Sequence, residues 1–202
     1  MVYRATAHTQ AKKAESRERL LNAGLNLVLE AGFSHITINK VAQHANVATG
    51  TVYRYFASKG ELCEEIFLKA TKIELSKVTE TCNTPNKSPR ERMETTLSEF
   101  AYRAIKGRRL AYALIAEPVD SMLDETRLQF RRAYAEQFAA LIEEGIASGD
   151  FRNQSAMISA TAIVGAMSEA LVGPLSPNNC DRIESKTLTQ DIVDFCLRAL
   201  SA

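Results

Sequence analysis

Residues 36–59 read Ile-Thr-Ile-Asn-Lys-Val-Ala-Gln-His-Ala-Asn-Val-Ala-Thr-Gly-Thr-Val-Tyr-Arg-Tyr-Phe-Ala-Ser-Lys, and this stretch decides the fold. Apolar side chains recur at helical spacing on both sides of Asn46, a residue that tolerates a left-handed backbone and can therefore end a helix sharply. Thr37 is placed to cap the first helix, and the second begins at Ala48 or Thr49. The stretch therefore predicts two short helices joined by a tight turn.

The outward face of the second helix carries residues suited to a DNA groove. A step of about 100° per residue places Gly50 and Arg54 opposite Val52, with Thr51 and Tyr53 at the sides. A glycine permits close approach, an arginine pairs with guanine or phosphate, and hydroxyl groups bond phosphate oxygens. The predicted DNA-contacting residues are Thr37, Thr49, Gly50, Thr51, Tyr53, Arg54, Tyr55 and Lys59.

At these residues the chain resembles the TetR family of one-component transcriptional repressors. The family pattern is roughly Thr-x-x-x-Ile-Ala-x-x-Ala-Gly-Val-Ser-x-Gly-Thr-Leu-Tyr-x-Tyr-Phe-x-Ser-Lys-x-x-Leu. It is met by Thr37, Val41, Ala42, Ala45, Val47, Gly50, Thr51, Tyr53, Tyr55, Phe56, Ser58, Lys59 and Leu62. Asn46 replaces the usual Gly, and Ala48 replaces the usual Ser, a helix cap worth ~1 kcal/mol. The resemblance implies a homodimeric repressor that binds a palindromic operator and is released by a small-molecule inducer.

The rest of the chain has the apolar spacing of helices and no strand pattern. Further helices are predicted at about residues 14–31, 61–81, 89–106, 108–116, 121–147, 155–172 and 185–200. The prediction is an all-α fold with a helix-turn-helix DNA-binding domain at residues 1–60 and a ligand-binding and dimerisation domain at residues 61–202. Residues 1–12 are interpreted as a frayed tail, with a basic arm on the DNA as the alternative.

Charge is unevenly distributed along a chain whose net charge is only +1. Residues 1–60 hold eight Lys or Arg and three Glu, whereas residues 61–202 hold 17 basic and 21 acidic residues. A basic head is typical of a duplex-binding domain. No segment approaches the ~20 apolar residues of a membrane helix, and the N-terminus lacks the apolar core of a signal peptide. We therefore expect a soluble, cytoplasmic protein with no membrane partner.

Two sets of residues in the second domain receive roles through the resemblance. The ligand-binding set is Phe100, Tyr112, Met122, Phe130, Tyr134 and Phe138. Composition alone also fits a packed core, and Glu99 and Glu117 are either ligand-orienting or surface carboxylates. The dimer-interface set is Ala162, Gly165, Ala166, Ala170, Leu188, Ile192 and Phe195. Small residues let two helices approach closely, and the resemblance favours a dimer contact over the alternative, that the same faces pack within one subunit.

Patterns typical of catalysis or metal binding are absent from the sequence. There is no Gly-rich phosphate loop and no GxSxG motif, and the histidines are scattered at positions 8, 35 and 44. The cysteines, at positions 63, 82, 180 and 196, form no CxxC. We predict no enzyme activity, no cofactor and no metal. Two alternatives remain: a redox-sensing repressor switched by cysteine oxidation, and a helical ligand carrier without DNA binding.

Overall fold

The computed structural model describes residues 7–179 and 185–201, and within these ranges all regular structure is helical. The helices are α1 (Ala7–Ala31), α2 (Ile38–His44), α3 (Thr49–Tyr53), α4 (Lys59–Cys82), α5 (Pro89–Lys106), α6 (Arg108–Ile115), α7 (Ser121–Ser148), α8 (Ala156–Leu175) and α9 (Ser185–Leu200). A 3₁₀ turn at Phe33–His35 joins α1 to α2. The predicted all-α fold is confirmed.

The helix-turn-helix forms as its local residues predict. Thr37 caps α2 by accepting a hydrogen bond from the backbone N–H of Lys40 over 3.2 Å. Asn46 follows in the left-handed region with φ 52°, which turns the chain toward α3. The start of α3, left open by the sequence, is at Thr49, and Ala48 precedes it with no side-chain cap.

Two helix boundaries differ from the prediction. Helix α1 begins at Ala7, so residues 7–12 are helical rather than a tail, in keeping with the helix propensity of their Ala, Gln and Lys residues. Helix α8 continues through Pro174 to Leu175, where a loop is predicted. The Pro174 carbonyl accepts a hydrogen bond from Arg108 Nη2 over 3.0 Å, which satisfies one of the carbonyls at this helix end. Residues 1–6 of the segment proposed as a tail or basic arm, residues 1–12, lie outside the described residues.

Two clusters of buried apolar side chains hold the helices together. The head cluster joins α1, α2, α3 and the first half of α4 to single residues of α6 and α7, and includes Leu20, Val28, Val41, Val52, Phe56, Leu62, Ile66, Phe67, Ala113 and Leu123. The body cluster joins the end of α4 to α5, α7, α8 and α9, and includes Val78, Met93, Leu97, Phe138, Ile142, Met167, Leu171 and Leu197. Helix α4 contributes to both clusters. The head cluster thus extends past residue 60, where the sequence places a domain boundary.

Helix α8 corrects one expectation from the sequence. With a mean hydropathy of 1.5 over 20 residues, it is long and apolar enough by composition to cross a membrane, and it is the one such helix among the described residues. In the structure it packs against α5, α6, α7 and α9 and buries Ile163, Met167 and Leu171. Only 28% of this apolar segment is buried inside the structure, so α8 also leaves apolar residues exposed.

Candidate DNA interface and effector cavity

The outer surface of α3 is open to solvent. Val52 is fully buried in the head cluster, whereas Tyr53 is 55% exposed and Arg54 is exposed on the opposite side. A Cβ added at Gly50 would meet no atom within 4 Å. The fold itself therefore leaves room for a side chain at position 50, and the exposed polar groups beside it are available to a partner.

The remaining predicted DNA-contacting residues lie at the ends of the neighbouring helices. Thr37 and Lys59 are exposed at the starts of α2 and α4. Thr49 is exposed and donates a hydrogen bond from Oγ1 to Oδ1 of Asn39 over 3.2 Å, which links α3 to α2. Thr51 and Tyr55 are half-buried, and Tyr55 packs against the head cluster. None of the eight residues is buried, and three helices together position them.

A cavity of about 130 Å³ is lined by residues of α4, α5, α6, α7 and α8 and lies where the head and body clusters meet. Its walls are mainly apolar. Four of the six predicted ligand-binding residues line it, namely Phe100, Phe130, Tyr134 and Phe138. Tyr112 packs against the body cluster instead, and Met122 is 42% exposed near Gly60, so the structure does not bring these two to the cavity.

One wall of the cavity is polar, and its residues were not among those predicted from the sequence. Thr71 and Glu74 face the cavity from α4, and Arg103 faces it from α5. Arg103 Nε donates to Glu74 Oε2 over 2.9 Å, and Lys77 Nζ donates to Glu74 Oε1 over 2.7 Å. The sequence does contain an indication of this polar wall, because Phe67, Thr71 and Glu74 follow the i, i+4, i+7 spacing of one helix face.

The charge states on this wall follow from burial and hydrogen bonding. Burial raises the pKa of Glu74, but the hydrogen bonds from Lys77 and Arg103 outweigh it and hold this pKa below its usual range. Burial, helped by the nearby negative charge of Glu74, raises the pKa of the Tyr134 phenol well above its ordinary value. Glu74 is therefore ionised and paired at neutral pH, while Tyr134 is neutral and able to donate.

Glu117 joins the head to the body. Its carboxylate, in a residue only 8% exposed, accepts hydrogen bonds from the backbone N–H groups of Phe33 at 2.9 Å and Ser34 at 3.0 Å. Gly32 precedes them with φ +83°, and a Cβ there would lie 2.7 Å from a carboxylate oxygen of Glu117. Both interpretations offered by the sequence are wrong for Glu117, which neither lines the cavity nor lies on the surface. Glu99, in contrast, is an exposed carboxylate beside Thr81 and Arg103.

The side chain of Arg127 connects the cavity to this junction. It lines the cavity from α7 and is only 8% exposed. Its Nε donates to the Leu114 carbonyl over 3.0 Å, and its Nη2 donates to the Glu117 carbonyl over 2.8 Å. Asp124 accepts a further bond from Nη1 over 3.0 Å. The end of α6, one wall of the cavity and the Glu117 segment are thus held by one guanidinium.

A third surface, along α8 and α9, is apolar and exposed. Ala162, Gly165 and Ala170 are exposed and Ala166 is half-buried, while on α9 Phe195 is 64% exposed and Leu188 is half-buried. Ile158, which the sequence analysis did not select, is 72% exposed on the same helix as the small residues. Ile192 is only 6% exposed and belongs to the body cluster, because it lies on the inner side of α9. Its predicted place at an interface does not fit the structure.

The described cysteines lack the features of a redox sensor. Cys63, Cys82 and Cys196 are buried, and burial raises the pKa of Cys63 and of Cys196 to about 11 and also raises the pKa of Cys82. The thiolate is the reactive form, so these thiols are poorly reactive at neutral pH. Cys180 lies outside the described residues. Within the described part of the chain no group of three His, Cys, Asp or Glu residues could hold a metal ion.

Two family models match the chain. Residues 20–66 match the model of bacterial regulatory proteins of the tetR family, and residues 86–171 match the tetracyclin repressor-like C-terminal domain. One model therefore matches residues of the head, and the other matches residues of the body.

Curated relatives are similar over part or most of their length. The repressor KstR of Rhodococcus jostii is 37% identical over 87 residues, which cover 43% of this chain and 39% of that protein. The repressor KstR2 of Mycolicibacterium smegmatis is 22% identical over 148 residues, which cover 71% of each protein. Among solved structures, FadR of Bacillus subtilis in complex with stearoyl-CoA superposes with a TM-score of 0.76 at 17% identity, over 91% of this chain and 98% of that one.

The fold and the exposed α3 define a helix-turn-helix transcriptional regulator with a separate cavity. Since the two family models together match more than half of its residues, the chain belongs to the TetR family of bacterial regulatory proteins. The resemblance inferred from residues 36–59 is confirmed, and so is the predicted class of DNA-binding transcriptional regulator.

Proposed function

We propose that this chain is a cytoplasmic, homodimeric repressor that binds a palindromic operator and releases it when a small molecule enters the cavity. The observation that carries the proposal is the course of α4. This helix begins at Lys59 beside the exposed surface of α3, and its Thr71 lines the cavity twelve residues later, which corresponds to ~18 Å along a helix axis. A ligand at Thr71 therefore touches the same rigid element that supports the DNA-contacting surface.

In the proposed complex, α3 enters the major groove. Thr49, Thr51 and Arg54 lie nearest the bases, Gly50 allows close approach, and phosphate contacts come from Thr37, Tyr53, Tyr55 and Lys59. A two-fold dimer places its two recognition helices in successive major grooves, ~34–36 Å apart or somewhat more. Six of these eight residues are exposed, which supports their roles, and Thr51 and Tyr55 are half-buried. Residues 1–60 carry the DNA-binding surface, and residues 61–202 carry the cavity and the dimer contacts.

The dimer contact we propose is the exposed apolar surface of α8 and α9. Exposed apolar residues that are contiguous commonly mark an interface. The small residues Ala162, Gly165 and Ala170 would let the partner's helices approach closely, with Phe195 as the large apolar contact. A Cβ added at Gly165 would meet no atom within 4 Å, so this position is open toward the partner.

The effector we propose has an apolar body, because the cavity walls are mainly aromatic and aliphatic. Two proteins of similar fold are known with ligands, FadR of Bacillus subtilis with stearoyl-CoA and RolR with resorcinol. For release, the effector must bind more tightly to the conformation whose two heads are wrongly spaced for the operator, since equal affinity shifts nothing. Both α4 and the contact of Glu117 with Phe33 and Ser34 would transmit this change to the head.

Selection of bound sequences from random DNA tests the proposal. We expect the full chain to enrich an inverted repeat, and we expect Phe195→Asp to give a monomer with at least tenfold weaker operator binding. Leu128→Asp is the matched control, because Leu128 is 56% exposed on α7 and not on the proposed interface helices α8 and α9. Enrichment of no sequence would overturn the DNA-binding proposal, and a dimeric Phe195→Asp variant would overturn the interface.

A further inference from the structure

The hydroxyl group of Thr71 is buried at the cavity wall without a hydrogen-bond partner. Thr71 is 5% exposed, and among the described residues it is the one cavity-lining side chain with a buried, unpaired polar atom. A helical threonine usually donates to the carbonyl four residues earlier. In this chain Thr81, Thr96 and Thr161 do so, with distances of 2.9, 2.7 and 2.8 Å from Oγ1 to the carbonyl oxygen. Thr71 does not, so its hydroxyl would lose no hydrogen bond within the protein by turning toward a group inside the cavity.

The buried charged groups around the cavity are already paired. Glu74 accepts from Arg103 and Lys77, and Arg127 donates to Asp124 and to three backbone carbonyls. Arg131 also lines the cavity, but it is exposed, and its Nη2 donates to the Ile115 carbonyl over 3.4 Å. A charged ligand group buried beside Thr71 would therefore meet buried charges that are already hydrogen-bonded, which is costly. A neutral oxygen next to Thr71 instead gains a hydrogen bond and satisfies the hydroxyl.

We infer that Thr71 is the polar anchor of the effector site and that the effector is an apolar molecule with an uncharged oxygen acceptor, a carbonyl or a hydroxyl group. The inference rests on the proposed function, because it takes the cavity to be the effector site. A carbonyl of this kind has two sources, a ketone on a free hydrocarbon or the thioester of an acyl-CoA whose charged headgroup remains outside. In both cases the oxygen bonds to α4, the helix that begins beside α3.

Two matched pairs of probes test the inference by calorimetric titration of the full chain. The first pair is 4-phenyl-2-butanone and butylbenzene, and the second is octanoyl-CoA and its thioether analogue S-octyl-CoA. Within each pair only the carbonyl oxygen differs substantially. We expect the wild-type chain to bind the carbonyl member of one pair about three- to tenfold more tightly than its partner, the effect of one net hydrogen bond. The pair that shows this preference identifies the source.

Three variants assign the preference to the Thr71 hydroxyl. Thr71→Val replaces the hydroxyl by a methyl group of similar size and should abolish the preference, whereas Thr71→Ser retains a hydroxyl and should keep it. Thr96→Val is the matched control, because Thr96 is a buried helical threonine that is not among the cavity-lining residues. It should leave the preference unchanged.

The outcomes separate this inference from the proposed function. An equal preference in the wild-type and Thr71→Val chains, with operator release by the same probes, overturns the role of Thr71 and leaves the effector cavity standing. Binding of both members of each pair with equal affinity overturns the neutral-oxygen class. If no probe binds and none changes operator affinity, the inference fails together with the effector part of the proposed function, while the selection of operator DNA still tests the repressor itself.

Discussion

The polar side chains of the DNA-contacting surface and those of the junction between head and body lie in opposite environments. On the head, Tyr53 and Arg54 extend into solvent. In the body, Glu117 and Arg127 are each 8% exposed, and both are hydrogen-bonded. Tyr53 and Arg54 are thus free to bind a partner and do little for stability, whereas Glu117 and Arg127 are part of the packing. Substitutions on the DNA-contacting surface should therefore weaken DNA binding, whereas substitutions at the buried junction should lower stability.

The largest expected effect is on stability and comes from the body. Glu117→Ala leaves two backbone N–H groups of the 3₁₀ turn without their acceptor and should lower the free energy of unfolding by about 3 kcal/mol in urea denaturation. Glu99→Ala, which removes an exposed carboxylate, should change it by no more than ~0.5 kcal/mol. A loss in Glu117→Ala no greater than in Glu99→Ala would show that the junction is not a stabilising contact.

The next effect is on binding alone and comes from the head. Arg54→Ala should weaken operator binding by ~1–3 kcal/mol and relax its sequence preference, with stability unchanged. Lys59→Ala should weaken operator and random duplex alike and reduce the salt dependence of binding, since a phosphate contact carries no sequence information. Titration of both variants at two salt concentrations distinguishes the two roles, and identical behaviour would contradict the division between base and phosphate contacts.

The smallest expected effect is that of a substitution at Gly50, where stability and DNA binding should change in opposite directions. Because Gly50 is helical and its added Cβ meets no neighbour, Gly50→Ala should raise the free energy of unfolding by ~0.5–1 kcal/mol. On DNA the same methyl group would occupy the space between α3 and the groove, so operator binding should weaken. Thermal unfolding and anisotropy titration measure the two effects. Unchanged affinity would mean that the helix does not approach the duplex closely at this position.

The head could be predicted from the sequence because its signals are local. Thr37 caps a helix that starts at the next residue, Asn46 turns the chain where it stands, and Ser58 caps α4 by accepting a hydrogen bond from the backbone N–H of Glu61 three residues later. Each signal involves residues within a few positions of one another, and the repeated apolar spacing supplies the rest. The fold class and nearly all helices follow from such patterns.

The cavity and the junction could be predicted only in part, because their contacts are long-range. Glu117 bonds to Phe33, 84 residues away, and nothing in the sequence near either residue indicates the pairing. The aromatic residues of the body were selected by type, and type does not separate Tyr134, which lines the cavity, from Tyr112, which does not. Thr71 was missed since an unpaired hydroxyl is recognisable only after its neighbours are placed.

The double membership of α4 has a consequence for how the molecule can be divided. Leu62, Ile66 and Phe67 are three of the large side chains at the centre of the head cluster, and all three belong to α4. The same helix contributes Val78 to the body cluster. A fragment cut after residue 60 would lose all three and should remain unfolded, whereas the intact chain should melt in one cooperative calorimetric transition. The DNA-contacting part of this protein is therefore not an exchangeable module, and a functional chimera must carry α4 with it.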